Sequence, residues 1–202
     1  MSNQLLQKYL PESAFPHLKT WFASHQVNLH ISRSRNSKLG DYQRLKDGSH
    51  RISINHNLRP ELFFFVLTHE LAHLIAFETF KGKIISAHGM EWKLTFRKML
   101  LESLSVYSEE LKPHILQFSK SPKANFMSSG PIVKFFHKDD LSDCEQFIES
   151  LFIGDSFIYR DQIYIIKEKL KKNYLCENMD NEKKYIFKPL AKVEKTESSN
   201  GN

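Results

Sequence analysis

Only two cysteines, Cys144 and Cys176, occur in 202 residues. That is too few for a disulfide framework, and neither stands in the sequence context of a nucleophile, so both read as plain thiols in a reducing compartment. Glycine and proline are also scarce, seven of each. With 41% hydrophobic residues, the chain can bury a core sufficient for one medium domain and a small second one. No apolar run reaches about 18 residues without a polar interruption, which argues against a membrane span. The first residues, MSNQLLQKYLPESAF, lack the basic start, apolar stretch and small-residue cleavage site of a signal peptide. The expectation from these absences is a cytoplasmic globular protein, with a monomer favoured.

What is present is concentrated in one segment. From Leu62 to Phe77 (LFFFVLTHELAHLIAF) the only polar side chains are Thr68, His69, Glu70 and His73. Pro60 and Glu61 suit a first helical turn, and Lys81-Gly82 suits a helix end, so the segment reads as one helix over roughly 60–80. Its apolar residues lie all round rather than along a stripe, which is the pattern of a helix buried on most sides. At a spacing of four, His69 and His73 share a face and can converge on one point. A buried polar group left unpaired costs roughly 1–3 kcal/mol, and a divalent cation would satisfy both imidazoles and neighbour Glu70. The spacing H-E-x-x-H is that of a zinc hydrolase helix, in which Glu70 would take a proton from water held on the metal. The composition would supply this pattern by chance about 0.04 times. The bland alternative is a pair of core histidines satisfied by hydrogen bonds.

A catalytic zinc site normally takes three protein ligands. The metzincin continuation is excluded, because Ala76 and Thr79 stand where it requires Gly and His. Downstream, in Ser86-Ala87-His88-Gly89-Met90-Glu91-Trp92-Lys93, His88 and Glu91 both qualify as the third ligand, sharing a face if the segment opens a helix. His88 is favoured over Glu91, and Trp92 is expected to be packing beside the site.

With these residues in view, His69-Glu70-Leu71-Ala72-His73 followed by His88-Gly89-Met90-Glu91-Trp92-Lys93 resembles the SprT-like zinc metalloproteases. Arg35, Leu39-Gly40 and the strand Arg51–Asn55 are similar to that family's lead-in to the active-site helix. The resemblance implies that His69, His73 and His88 bind Zn²⁺ and that Glu70 is the catalytic base. It also implies proteolysis of DNA-associated proteins. Many family members end in a zinc ribbon with two cysteine pairs, which two cysteines cannot build.

The fold expectation is α+β: a zincin-like metalloprotease domain over 1–120, a Ser/Pro/Gly-rich linker at 121–131, a small β-rich module at 132–193 and a disordered tail at 194–202. In the first domain, helices are expected within 3–26, at 60–80 and near 89–104, with strands near 27–33 and 50–55. In the second, Asp139–Leu151 reads as a short helix. Strands are expected at Gly154–Tyr159, Ile163–Ile166 and Tyr185–Phe187, with hairpin loops at Arg160-Asp161 and Met179–Glu182. Strand Arg51–Asn55 is expected to be an edge on which an extended peptide could lie.

Residues 1–125 carry 17 Lys/Arg against 10 Asp/Glu. Arg33, Arg35, Lys38, Arg44, Lys46 and Arg51 cluster upstream of the metal helix and could neutralise DNA phosphates, or be an ordinary solvated face. The leading reading is a zinc metallopeptidase. The alternatives are a nucleic-acid- or protein-binding module with a structural zinc, and a zinc hydrolase acting on non-peptide substrates.

Overall fold

In a computed structural model the described residues are 6–23, 25–35, 38–81, 85–125, 130–137, 142 and 144–196. They form an α+β protein that divides into two compact units, 1–132 and 133–202.

The first unit is built around the helix that the sequence marked. After a short 3-10 turn, helix α1 (Phe15–Phe22) leads into strand β1 (Val27–Ser32). Strands β2 (Gly40–Arg44) and β3 (His50–Asn55) follow, then helices α2 (Pro60–Thr79), α3 (Met90–Glu102) and α4 (Lys112–Ser119). Pro60 opens α2 where no amide hydrogen is needed, and Glu61 lies in its first turn. Phe63, Phe64, Phe65, Leu67, Leu71, Ala72 and Leu74 have no exposed surface, so α2 is enclosed on most sides, as its all-round apolar pattern requires. The buried Thr68 hydroxyl donates back to the Phe64 carbonyl at 2.8 Å. By length and composition α2 could cross a membrane, but 72% of its most apolar window is buried inside the protein, which makes it a core helix. Lys81-Gly82, read as its end, falls partly outside the described residues.

The sheet beside α2 has the order β1-β3-β2. β1 and β3 run parallel, pairing Leu29 with Ile52, whereas β2 and β3 run antiparallel, pairing Tyr42 with Ile52. The expectation that Arg51–Asn55 is an edge is therefore wrong: β3 is central, hydrogen-bonded on both sides. Its burial agrees, since every residue from Ile52 to Asn55 is buried. The edge facing the site is β2, which short-range patterning missed.

The second unit carries an antiparallel sheet in the order β4-β9-β5-β6-β7-β8, and helix α5 (Gly130–His137) crosses the boundary between units. Its strands are β4 (Glu145–Phe147), β5 (Ser156–Tyr159), β6 (Gln162–Lys169), β7 (Tyr174–Asn178), β8 (Lys184–Phe187) and β9 (Lys192–Lys195). Ile148, Phe157, Ile166, Cys176 and Val193 lie in its core.

Three expectations are corrected here. Asp139–Leu151 is not a helix among its described residues, because Glu145–Phe147 pairs with β9 and Ile148–Ser150 is a 3-10 turn. The segment read as a linker ends in α5, whose Gly130-Pro131 is a helix start. The segment read as a tail begins with the last residues of β9, while 197–202 lie outside the described residues.

Candidate metal centre

Two histidines come from one helix and the third from a turn beyond it. His69 and His73 stack along α2, with ring centroids 5.2 Å apart. His88 sits outside the helices, in a turn closed by the Gly89 N–H donating to the Ser86 carbonyl at 3.0 Å, just before α3 begins at Met90. Their candidate donor atoms all lie within 4.8 Å of one another, and His69 Nε2 faces His88 Nε2 at 3.4 Å. Tetrahedral zinc, with Zn–N distances near 2.0–2.1 Å, places two ligand nitrogens about 3.4 Å apart. The His69–His88 pair has that spacing, and the three histidines together could hold a metal ion. Glu91, the weaker candidate for third ligand, is not part of this converging group.

The protonation of the rings points the same way. Burial is the first cause holding all three imidazoles below their ordinary range, His69 at about 3 and His73 at about 4, with neighbouring histidines adding to it at both. Neutral imidazole is the form that binds metal. One ring N–H of His73 is directed at the Ala87 carbonyl, which leaves the other nitrogen as a donor atom, the arrangement typical of metal-bound histidine. Trp92 is 1% exposed and its indole N–H donates to the His69 carbonyl at 3.4 Å. Its ring lies 4.7–5.4 Å from all three imidazoles, the packing role expected of it. Exposure rises from His69 through His73 to His88, so the cluster reaches solvent on the His88 side.

Glu70 occupies the other flank. It is 8% exposed, and burial, reinforced by Asp41, pushes its carboxyl up to about 8 against the weaker pull of Lys38 and Arg35. A cation held by the histidines would favour the carboxylate. Gly40 of β2 packs directly against this side chain: a methyl group in place of its hydrogen would lie 2.6 Å from Glu70 Oε1 and 2.7 Å from Val66 Cγ1. Alternate residues of β2 meet α2 in register. Gly40 abuts Glu70, the Tyr42 ring lies 5.9 Å from His73, and the Arg44 guanidinium lies 4.7 Å from the Phe77 ring. The strand's period of two matches a helix face spaced three and four apart.

The basic residues upstream do not form one free cluster. Arg35 donates to Asn55 Oδ1 at 2.8 Å and to Ser53 Oγ at 3.1 Å, while Asn55 Nδ2 donates to the Arg35 and Lys38 carbonyls. This network pins the segment entering β2 to the end of β3. Lys38 pairs with Asp41 at 2.8 Å. Arg33, Lys46 and Arg51 are exposed.

Residues 6–110, just over half of the chain, match the SprT-like family. The chain belongs to the SprT-like family. Its matched span holds His69, Glu70, His73 and His88, and the family is of the metalloprotease kind. No curated protein and no solved structure matches the chain.

Proposed function

We propose that this SprT-like chain is a zinc-dependent peptidase whose first unit has a zincin-like arrangement, with His69, His73 and His88 holding the metal. The observation that carries the proposal is the convergence of three neutral imidazoles next to a buried glutamate in sequence, with the His69–His88 pair at the spacing of two ligands on tetrahedral zinc. Bound zinc supplies the Lewis acid that peptide hydrolysis requires. Glu70 takes the proton of the attacking water and delivers it to the leaving amine. Its burial keeps that proton from exchanging with bulk water, and Gly40 leaves it the space to turn between the two positions. β2, the sheet edge beside the site, is the strand along which an extended substrate would lie. The exposure of His88 favours a reacting site over a closed structural one.

The proposed substrates are proteins associated with DNA, a reading supported by the family resemblance and by the exposed Arg33, Lys46 and Arg51.

The decisive experiment is Glu70→Gln, assayed for zinc content and for cleavage of fluorescein-labelled denatured casein on one preparation. The amide keeps the shape and cannot accept the proton, so zinc is retained and cleavage is lost. A variant that cleaves at the wild-type rate removes Glu70 from the mechanism.

A further inference from the structure

Behind His73 lies a chain of polar aromatic contacts that metal ligation by itself does not require. The Tyr42 ring runs parallel to the His73 ring, at 5.9 Å between centroids and 5° between planes. On its other contact it runs nearly parallel to His50, at 5.9 Å and 18°. The Tyr42 hydroxyl lies 3.0 Å from His50 Nδ1, and His50 Nε2 lies 3.6 Å from Glu78 Oε1. Glu78 in turn pairs with Lys81 at 2.8 Å. His50 is 4% exposed at the start of the central strand β3, and Glu78 stands in the last turns of α2, five residues beyond His73. The Tyr42–His50 hydrogen bond therefore joins two neighbouring strands of the sheet, with the Tyr42 ring against His73 of α2 and Glu78 of the same helix close to His50.

The directions of these contacts follow from chemistry. The Tyr42 phenol is an O–H donor near neutral pH, and its hydroxyl lies within hydrogen-bond distance of His50 Nδ1. Burial keeps His50 neutral. In the tautomer with its proton on Nε2, the nitrogen on the Glu78 side, His50 presents Nδ1 as the acceptor for that phenol. A phenol bound in this way cannot swing its ring out of the plane beside His73. Trp92 of α3 lies 5.4 Å from His73 at 28°, so His73 has stacked aromatic neighbours from both a strand and a helix. The Ala87 backbone also lies beside the ring. An imidazole so confined has one orientation left for its metal-binding nitrogen.

We infer that Tyr42 is a positioning residue of the metal centre: held through its hydroxyl by His50, its ring fixes the plane of His73 and so raises metal affinity. The inference rests on reading His69, His73 and His88 as a metal site. It assigns a purpose to the buried His50, which touches none of the three, and to the identity of the third residue of β2.

The test uses the full-length chain and measures zinc affinity by competition with a chromophoric chelator, together with the visible absorption of the cobalt-substituted protein. Tyr42→Phe keeps the ring and removes the tether, and His50→Gln removes the tether from its other end. Each is expected to weaken zinc binding roughly 3- to 10-fold, within or just below the range of outer-shell metal-site changes. Each should also alter the cobalt bands, while the metal-free melting temperature moves little. Because both cut one link, the double variant should be no weaker than the worse single one. Wild-type affinity and wild-type cobalt bands in both single variants would overturn the positioning role while leaving the metal centre intact. A wild-type protein that binds neither zinc nor cobalt would overturn the metal centre itself, and the positioning role with it.

Discussion

Replacing Gly40 by alanine tests whether the catalytic geometry is set by the sheet edge as well as by the metal helix. The added methyl carbon would lie 2.6 Å from Glu70 Oε1, 2.9 Å from Glu70 Cγ and 2.7 Å from Val66 Cγ1. Comfortable contact between carbon atoms begins near 3.5 Å, so the carbon overlap is roughly 0.6 Å at Glu70 Cγ and roughly 0.8 Å at Val66 Cγ1. Val66 is 3% exposed in the core and has no free space into which to move, so the displacement falls on Glu70 and on β2. Backbone strain is not the cause, since Gly40 is not among the glycines with positive φ, which are Gly48 and Gly154. A misplacement of about 1 Å in a reacting group can cost roughly 100-fold in rate, and overpacking typically costs about 1–3 kcal/mol of stability.

The expected result for Gly40→Ala is a fall in kcat on labelled denatured casein of roughly 30- to 100-fold. Zinc content should be retained, because Gly40 abuts the base and none of the three histidines. A lowered melting temperature should accompany it. Wild-type kcat in a folded, zinc-loaded Gly40→Ala protein would refute the idea that β2 sets the position of Glu70. Loss of zinc with the rate would show instead that β2 holds the whole site.

Three further predictions follow from the same geometry. His88→Ala should empty the site after dialysis while Glu91→Ala stays loaded, as read by metal analysis; the reverse would replace the third ligand. In metal-free protein, the raised Glu70 carboxyl contributes stability that is present below its unfolded value near 4.5 and is lost as pH rises through about 8. The melting temperature of metal-free Glu70→Gln, relative to wild type, should therefore climb across that window and the gap should shrink on adding zinc; a constant difference would mean that Glu70 is not the titrating group. If the exposed Arg33, Lys46 and Arg51 contact phosphates, replacing all three by alanine should flatten the salt dependence of DNA binding by up to about 2.7 logarithmic units, and an unchanged slope would remove them from any DNA interface.

The helix with its two histidines was legible because its signals are local: Pro60 starts it, every side of it is apolar, and the ligand spacing is one turn. His88 was reachable from its neighbourhood in sequence, though not its place in a turn before α3. The hairpin at Arg160-Asp161 was legible for a similar reason. Both residues take positive φ, 52° and 60°, and the chain offers a charged pair between two apolar strands. The helix expected at Asp139–Leu151 failed on a contact that local pattern does not contain. Ile148 and Glu149 donate to the carbonyls of Ala191 and Pro189, some forty residues on, and Gln146 pairs with Val193. A ladder formed at that distance overrides local helix preference.

β2 shows most clearly what sequence pattern leaves out. Gly-Asp-Tyr-Gln-Arg has no apolar alternation and is not among the expected strands, yet it is the strand that contacts α2 at Glu70, His73 and Phe77. Its inward side chains are chosen for what they meet and not for burial: a missing side chain beside a carboxylate, a ring beside an imidazole, a guanidinium over a phenyl ring. No hydrophobic periodicity can arise from such a set. The parallel pairing of β1 with β3 then makes β3 the central strand and leaves β2 as the edge. The same arrangement explains the fate of the basic cluster. Arg35 and Lys38 precede β2, and their charges lie close enough to Glu70 to oppose its protonation. Arg35 also fixes the approach to β2 through Asn55 and Ser53. A positive charge that looks like a phosphate contact in sequence is here committed to the strand that packs against Glu70, and the exposed residues of the cluster remain to meet a second molecule.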